Sequence, residues 1–401
     1  MTPFLQLLFQ LSVLIVAAKA GGWLSQRLRQ PAVLGELVAG LLLGPSVLDF
    51  LHLPAFTDHT VEETILQLAE LGVICLMFIA GLEIELDDLL KAGRVSMLAG
   101  TIGVIVPLSI GLVAALPFGF SAEAALFIGI ILSATSVSIS AQTLMELGML
   151  NRREGIALLG AAVIDDVLVI VVLSLFTALA LGTSDSGEVL LVLIKMTLYL
   201  IGAAVLGAFI VPKLAHWVHH QPISEGLTAI VLVTAMLFAW AAEEVGGLAA
   251  ITGAFIAGVG LSRSPLRDEI ERGLRSITYG FLVPIFFMSI GLRANLRELG
   301  AADLPFAIVM VIVAVVTKVL GCGLGAYWGG FKRREALRVG FGMISRGEVG
   351  LIVATAGIRL NIIAPDTFAI VVIVVLVTTL TTPVLLRWAF REPAIVAAPT
   401  A

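Results

Sequence analysis

Few side chains in this 401-residue sequence could do chemistry, and they sit where charge is least expected. Asp165 and Asp166 are adjacent within the apolar run IALLGAAVIDDVLVIVVL, and Lys318 interrupts VIVAVVTKVLGCGLGAYW. Thr135 and Ser136 occupy the middle of ILSATSVSISAQTLMEL, and Arg346 and Glu348 the middle of FGMISRGEVGLIVA. Successive residues on a helix point about 100° apart, so the two aspartates cannot both face one partner. The natural division pairs one of them with Lys318 and leaves the other facing water and a cation. Away from water a bare carboxylate is costly, so it holds either a proton or a small hard cation such as Na⁺, with further oxygens from carbonyls and hydroxyls. Two occupants competing for one carboxylate is a mechanism for exchange. A purely structural ion pair would need only one acid, and the second is then excess charge. Arg346 and Glu348 are two residues apart and face different sides of a regular helix. They are expected to support the site, either by neutralising helix ends or by giving Lys318 a second partner.

The elements that must position these groups follow from composition. Apolar residues make up 59 % of the chain, charged residues 13 %, and the mean hydropathy is +1.08. Too few polar side chains are available to cover a water-soluble fold of this size, so the expected solvent is lipid. A net charge of -5 and the lack of a long basic run exclude a nucleic-acid binder. Cys75 and Cys322 both lie in apolar runs and are expected to be small core residues, with no cofactor or metal framework.

Thirteen apolar runs match the length needed to cross about 30 Å of hydrocarbon as helices. They cover 4–24, 32–49, 65–82, 95–117, 124–145, 156–182, 189–212, 225–243, 246–262, 278–292, 305–328, 336–357 and 366–389. With the N-terminus outside, seventeen Lys and Arg residues fall inside and three outside, which predicts an N-out, C-in topology. The first run lacks the flanks of a cleaved signal peptide and is expected to be a retained helix, and no soluble domain is expected in the short stretch after the last run. Asp165, Asp166 and Lys318 then lie nine to ten residues from the inner ends of their spans, about 15 Å deep, near the midplane. Charge at that depth marks function by default.

An internal repeat is also visible. Gly81-Leu82-Glu83-Ile84-Glu85-Leu86 after Phe78 and Gly291-Leu292-Arg293-Ala294-Asn295-Leu296 after Phe287 share Gly-Leu-x-x-x-Leu at an offset of 210, and Ala39-Gly40 is echoed by Ala257-Gly258. Span n thus pairs with span n+7. Because seven is odd, the mates run in opposite directions, an inverted-topology repeat of the kind that builds secondary transporters. Spans five and twelve are mates, and both are polar at half depth. They are expected to be broken helices crossing at the binding site, since irregular backbone survives at that depth only where it is buried in protein or lines a cavity. Lys19 and Lys195 are expected to snorkel, Glu36, Glu243 and Glu244 to be structural, and His216, His219 and His220 to lie in an inner loop. An intramembrane aspartyl protease would want its acids on different helices, and a channel would need neither the repeat nor the paired breaks. No enzymatic activity is expected.

The double aspartate after a Ser/Thr-rich broken span, Lys318 in TKVLG, SRGEVGLIVA, GELVAGLLLGPS and MFIAGLEIEL together resemble the bacterial monovalent cation:proton antiporters of the Kef and NapA branch, along essentially the whole chain. Two acids with a lysine look most like the NapA-type Na⁺/H⁺ antiporters. That resemblance implies an all-α polytopic membrane protein with the NhaA-like antiporter fold, a single transmembrane domain over 1–401. Within it, 1–92 and 214–300 would form an interface part and 93–183 and 304–390 an ion-transporting core, with 189–213 connecting them. By the same resemblance Asp166 is the main ion-binding carboxylate, Asp165 the partner of Lys318, and Thr135 and Ser136 complete the coordination. It further implies electrogenic Na⁺(Li⁺)/H⁺ exchange by a homodimer in a prokaryotic inner membrane, with K⁺/H⁺ exchange as the alternative.

Overall fold

The computed structural model describes residues 2–54, 56, 60–84, 86–180, 186–295, 297, 300 and 303–391, and every regular element among them is helical. In chain order these are α1 (Pro3–Arg27), α2 (Ala32–Leu43), α3 (Thr60–Glu83), α4 (Leu86–Ala115), α5 (Ala122–Ser133), α6 (Val137–Glu146), α7 (Arg153–Ala180), α8 (Ser186–Val205), α9 (Val211–His219), α10 (Gly226–Glu244), α11 (Ala250–Leu261), α12 (Arg267–Ile277), α13 (Val283–Leu292), α14 (Leu304–Trp328), α15 (Arg333–Gly342), α16 (Glu348–Arg359) and α17 (Pro365–Phe390). Ten helical stretches among the described residues are long and apolar enough to cross a membrane, and shorter apolar helices cover Ala32–Leu43, Ala250–Leu261 and Val349–Ile358. Helices are what such a sequence must form in lipid, because only there does each segment satisfy its own backbone.

Each of the thirteen apolar runs contains helix, nine of them a single α-helix, although run 32–49 leaves the helix after Leu43 and run 246–262 enters it only at Ala250. The remaining four differ from straight spans. Run 124–145 is split between α5 and α6, and run 336–357 between α15 and α16. Runs 189–212 and 278–292 belong to longer stretches that pass through π turns at Leu206–Ile210 and Thr278–Leu282. One consequence corrects the expected inner loop: His216 and His219 form the last turn of α9, which prolongs the preceding span beyond residue 212. Charge marks the same prolongation in α12, whose polar RDEIERGLRSI precedes the apolar α13. Of the repeat motif, Glu85 and Leu296 lie outside the described residues.

Close helix contacts are made at glycines, and they come in matched pairs. A Cβ at Gly40 would collide with the Met288 carbonyl, and one at Gly258 with the Phe78 carbonyl. Thus α2 packs on α13 as α11 packs on α3. Likewise a Cβ at Gly129 would strike the Leu108 carbonyl and one at Gly340 the Val319 carbonyl, so α5 lies on α4 as α15 lies on α14. Small residues let backbones approach where lipid supplies no hydrophobic drive between helices. Apolar side chains are exposed on several helices, and the least buried spans are α1 and the stretch from α8 through α9, where Phe4, Trp23, Leu198, Phe209 and Trp217 are exposed.

Candidate ion-binding centre

Two helices stop halfway and meet. α5 ends at Ser133, whose hydroxyl donates back to the Ile130 carbonyl, and Ala134 is extended at φ -63°, ψ 139°. α15 ends at Gly342, and the chain is irregular from 344 to 347 before α16. Each break supplies what the other lacks. The Ser136 N–H donates to the Ser345 carbonyl at 2.8 Å, and the Ser345 hydroxyl donates to the Ser136 carbonyl at 2.6 Å. The Ser140 hydroxyl on α6 donates to the carbonyl of Gly342. Backbone groups that leave a helix inside lipid must find such partners.

Arg346 sits in the second break and is 1 % exposed. Its guanidinium donates to the carbonyls of Ile344 at 2.7 Å and Met343 at 3.3 Å, just past the end of α15, and to that of Ala314 on α14 at 3.1 Å. Its own backbone is held by α17, with Thr378 accepting from its N–H and the Thr379 hydroxyl donating to its carbonyl. A cation at the C-terminal end of a half-helix faces the negative pole of that helix. The backbone of Glu348 starts α16, and its side chain lies outside the described residues.

Asp165 and Asp166 leave α7 in different directions. Lys318 Nζ, on α14, donates to Asp165 Oδ1 at 2.6 Å, and both side chains are 0 % exposed. Gly103 lets α4 close on α14 beside this pair, since a Cβ there would collide with Cys322 Sγ, one turn beyond Lys318. Thr135 and Arg346 are the next groups acting on the Asp165 carboxylate, although Thr135 Oγ1 and Asp165 Oδ2 have no partner of hydrogen-bond geometry among the described residues.

Asp166 is 4 % exposed and accepts a hydrogen bond from Thr252 Oγ1 on α11 at 3.1 Å. It opens on a small cavity of about 10 Å³ lined also by Met77 of α3, Val137 of α6, Leu159, Ala162 and Val163 of α7, and Ile251 and Phe255 of α11. That volume is about what one water-sized occupant needs. Asp166 therefore faces protein on the side toward α3 and α11, away from lipid. Thr135 and Ser136 are buried close by, yet neither lines this cavity; the crossing reaches it through Val137.

Sequence reasoning missed Thr252. Its signal was a lone hydroxyl in the glycine-rich AITGAFIAGVGL, easily taken for one of the many threonines that bond back into their own helices. Ser345, Thr378 and Thr379 were missed for the same reason. Among the described residues no group of three or more His, Cys, Asp or Glu side chains could hold a metal, and Cys75 and Cys322 are buried and unpaired.

Comparison with known proteins agrees in sequence and in fold. Residues 12–391 match the family described as sodium/hydrogen exchanger, transmembrane. The chain is 39 % identical over 383 residues to the Na(+)/H(+)-K(+) antiporter GerN of Bacillus cereus, covering 95 % of this chain and 96 % of that one. It is 35 % identical over 379 residues to a Na(+)/H(+) antiporter of Enterococcus hirae, covering 94 % and 96 %. Its fold is similar to that of the sodium proton antiporter MjNhaP1 from Methanocaldococcus jannaschii, with a TM-score of 0.71 at 19 % identity over 97 % of this chain and 98 % of the other. On a match spanning nearly its whole length, the chain belongs to the sodium/hydrogen exchanger family of monovalent cation:proton antiporters.

Proposed function

We propose that this protein is a secondary active antiporter that exchanges Na⁺ or Li⁺ for protons at Asp166 by alternating access. The observation that carries this reading is the separation of the two acids. Asp165 is neutralised by Lys318, while Asp166 opens on a cavity that fits one small occupant. A proton and a bare Na⁺ are competing solutions for such a carboxylate. Asp165 and Lys318 then form the ion pair that is broken and remade as the two exchange, and more protons than sodium ions move per cycle. Thr135 and Ser136 serve as supporting oxygens at the crossing, Arg346 holds the end of α15, and Glu348 supports from the start of α16. No cofactor takes part.

The matched glycine contacts and the mutual serine bonds favour thirteen spans built as an inverted repeat, with the NhaA-like arrangement of two crossing broken helices, and the excess of Lys and Arg on one side favours N-out and C-in. In that arrangement residues 93–183 and 304–390 form a core that moves against an interface part of 1–92 and 214–300, with 189–213 as the link. The apolar faces of α1 and of α8 with α9 fit burial in lipid or against a second copy in a homodimer in a prokaryotic inner membrane.

The name of the Bacillus cereus relative includes K⁺, which favours K⁺ as a second transported ion. The deciding experiment uses proteoliposomes carrying a pH gradient, with Na⁺, Li⁺ and K⁺ added in turn. Saturable dissipation by Na⁺ and Li⁺ is expected; dissipation by K⁺ alone would replace the ion assignment, and none by any cation would discard the exchanger reading.

A further inference from the structure

Half of the ten buried threonine hydroxyls among the described residues are committed to their own helix. Thr143, Thr234, Thr317, Thr378 and Thr382 each donate to the carbonyl four residues earlier. Thr252 does not. It is the third residue of α11, in the first turn, where no helical carbonyl lies behind it, and it is 3 % exposed. Its hydroxyl crosses instead to Asp166 Oδ2 at 3.1 Å. Around the cavity at Asp166 every other lining side chain is aliphatic, aromatic or a thioether. A Na⁺ stripped of its shell requires hard oxygen ligands, and among the described residues lining this cavity the side chains that offer them are Asp166 and Thr252.

We propose that Thr252 is a ligand of the transported cation, sharing it with Asp166. This rests on the exchanger reading and deepens it. Without a cation the hydroxyl gives its hydrogen to the carboxylate. With a cation in the cavity, the same oxygen turns a lone pair to the ion and its hydrogen elsewhere, so that one side chain serves both states without moving its Cβ. Thr252 belongs to α11 and Asp166 to α7, so the ion has its two side-chain ligands on helices of the two different parts proposed to move against each other. Sliding α7 away from α11 would strip one ligand, which promotes release of the cation after the movement.

The test measures Na⁺-dependent dissipation of a pH gradient in proteoliposomes, with KM and kcat separated, together with Na⁺-induced thermal stabilisation of the purified full chain. Thr252→Val should raise the KM for Na⁺ about tenfold or more, the loss expected for one interaction with a charged group, while kcat at saturating Na⁺ stays within about twofold. Thr252→Ser should keep the wild-type KM, and Thr252→Cys, of similar size but with a soft ligand atom, should behave as Thr252→Val does. Na⁺-induced stabilisation should follow the same order. Equal KM in the Ser and Cys variants would overturn the proposal even if the Val variant fails to fold. So would a fall in kcat at unchanged KM, which is the mark of a packing role. Absence of exchange in the wild type would instead remove the exchanger reading itself.

Discussion

The two faces of α7 solve the problem of a buried carboxylate in opposite ways. Toward α14, Asp165 meets a full counter-charge at 2.6 Å, with no exposure on either side. Toward α11, Asp166 meets a neutral hydroxyl at 3.1 Å and an apolar cavity of about 10 Å³. Charge neutralised by charge is a closed arrangement, and removing one member leaves the other stranded. A carboxylate that meets a hydroxyl beside a cavity is an open arrangement, because a cation or a proton improves it. Adjacent residues of one type thus acquire different work from the helices that face them.

Breaking the open side should have the largest effect. Asp166→Asn is expected to bring cation-dependent exchange in proteoliposomes to background while the purified protein keeps its helical content and melting cooperativity; wild-type activity would end the assignment of the site. On the closed side, Lys318→Gln strands Asp165 and should cost about 3–5 kcal/mol of stability, read from thermal melting. The double variant Asp165→Asn with Lys318→Gln should recover most of that loss, and failure to recover would mean that the pair is not what holds α7 to α14. A third variant acts on one face through packing. Gly258→Val forces α11 off the Phe78 carbonyl and should cost about 1–3 kcal/mol, with weaker Na⁺ dependence but no change in the Lys318 double-mutant coupling.

The smallest effect lies far from both faces and serves as a control. His52 is half-exposed and bridges Asp49 at 2.7 Å and Glu62 at 3.2 Å, linking the connection after α2 to the first turn of α3. The hydrogen bond that its Nδ1–H donates to the Asp49 carboxylate raises its pKa above 6.5, against the smaller opposing cost of burial. A raised value means that the stabilisation is complete below the unfolded-state pKa near 6.5 and is lost as pH rises through the folded-state value. His52→Gln should therefore be less stable than wild type at pH 6 and closer to it at pH 8, by about 0.2–1 kcal/mol at most for so exposed a pair. The pH profile of exchange should be unchanged in that variant. A shifted profile would show that acidity is sensed at this exposed turn.

Much of this was written in the apolar pattern. Long uncharged runs dictate helices in lipid, and the 100° step between Asp165 and Asp166 required that they part. Polar residues at 135–136 and at 346 and 348 marked the breaks, because an unbroken helix has no use for them there. Thr252 could not be read, since a threonine that bonds to its own helix and one that reaches a neighbour look identical in sequence. Nor could the partners of Arg346, whose guanidinium ends on three carbonyls, groups that every residue carries. The prolonged α9 escaped because π turns leave the apolar period intact and the polar residues that follow mimic a connection.

The joint between the two breaks has a further implication. One of its two bonds runs from the main-chain N–H at 136 to the main-chain oxygen at 345, so it exists whatever side chains occupy those places, proline at 136 excepted. Scaffolding and chemistry are therefore decoupled at this spot. Residues 135 and 136 can be exchanged to retune the electrostatics around Asp165 without unfastening the crossing, which makes this the natural place to engineer a different cargo.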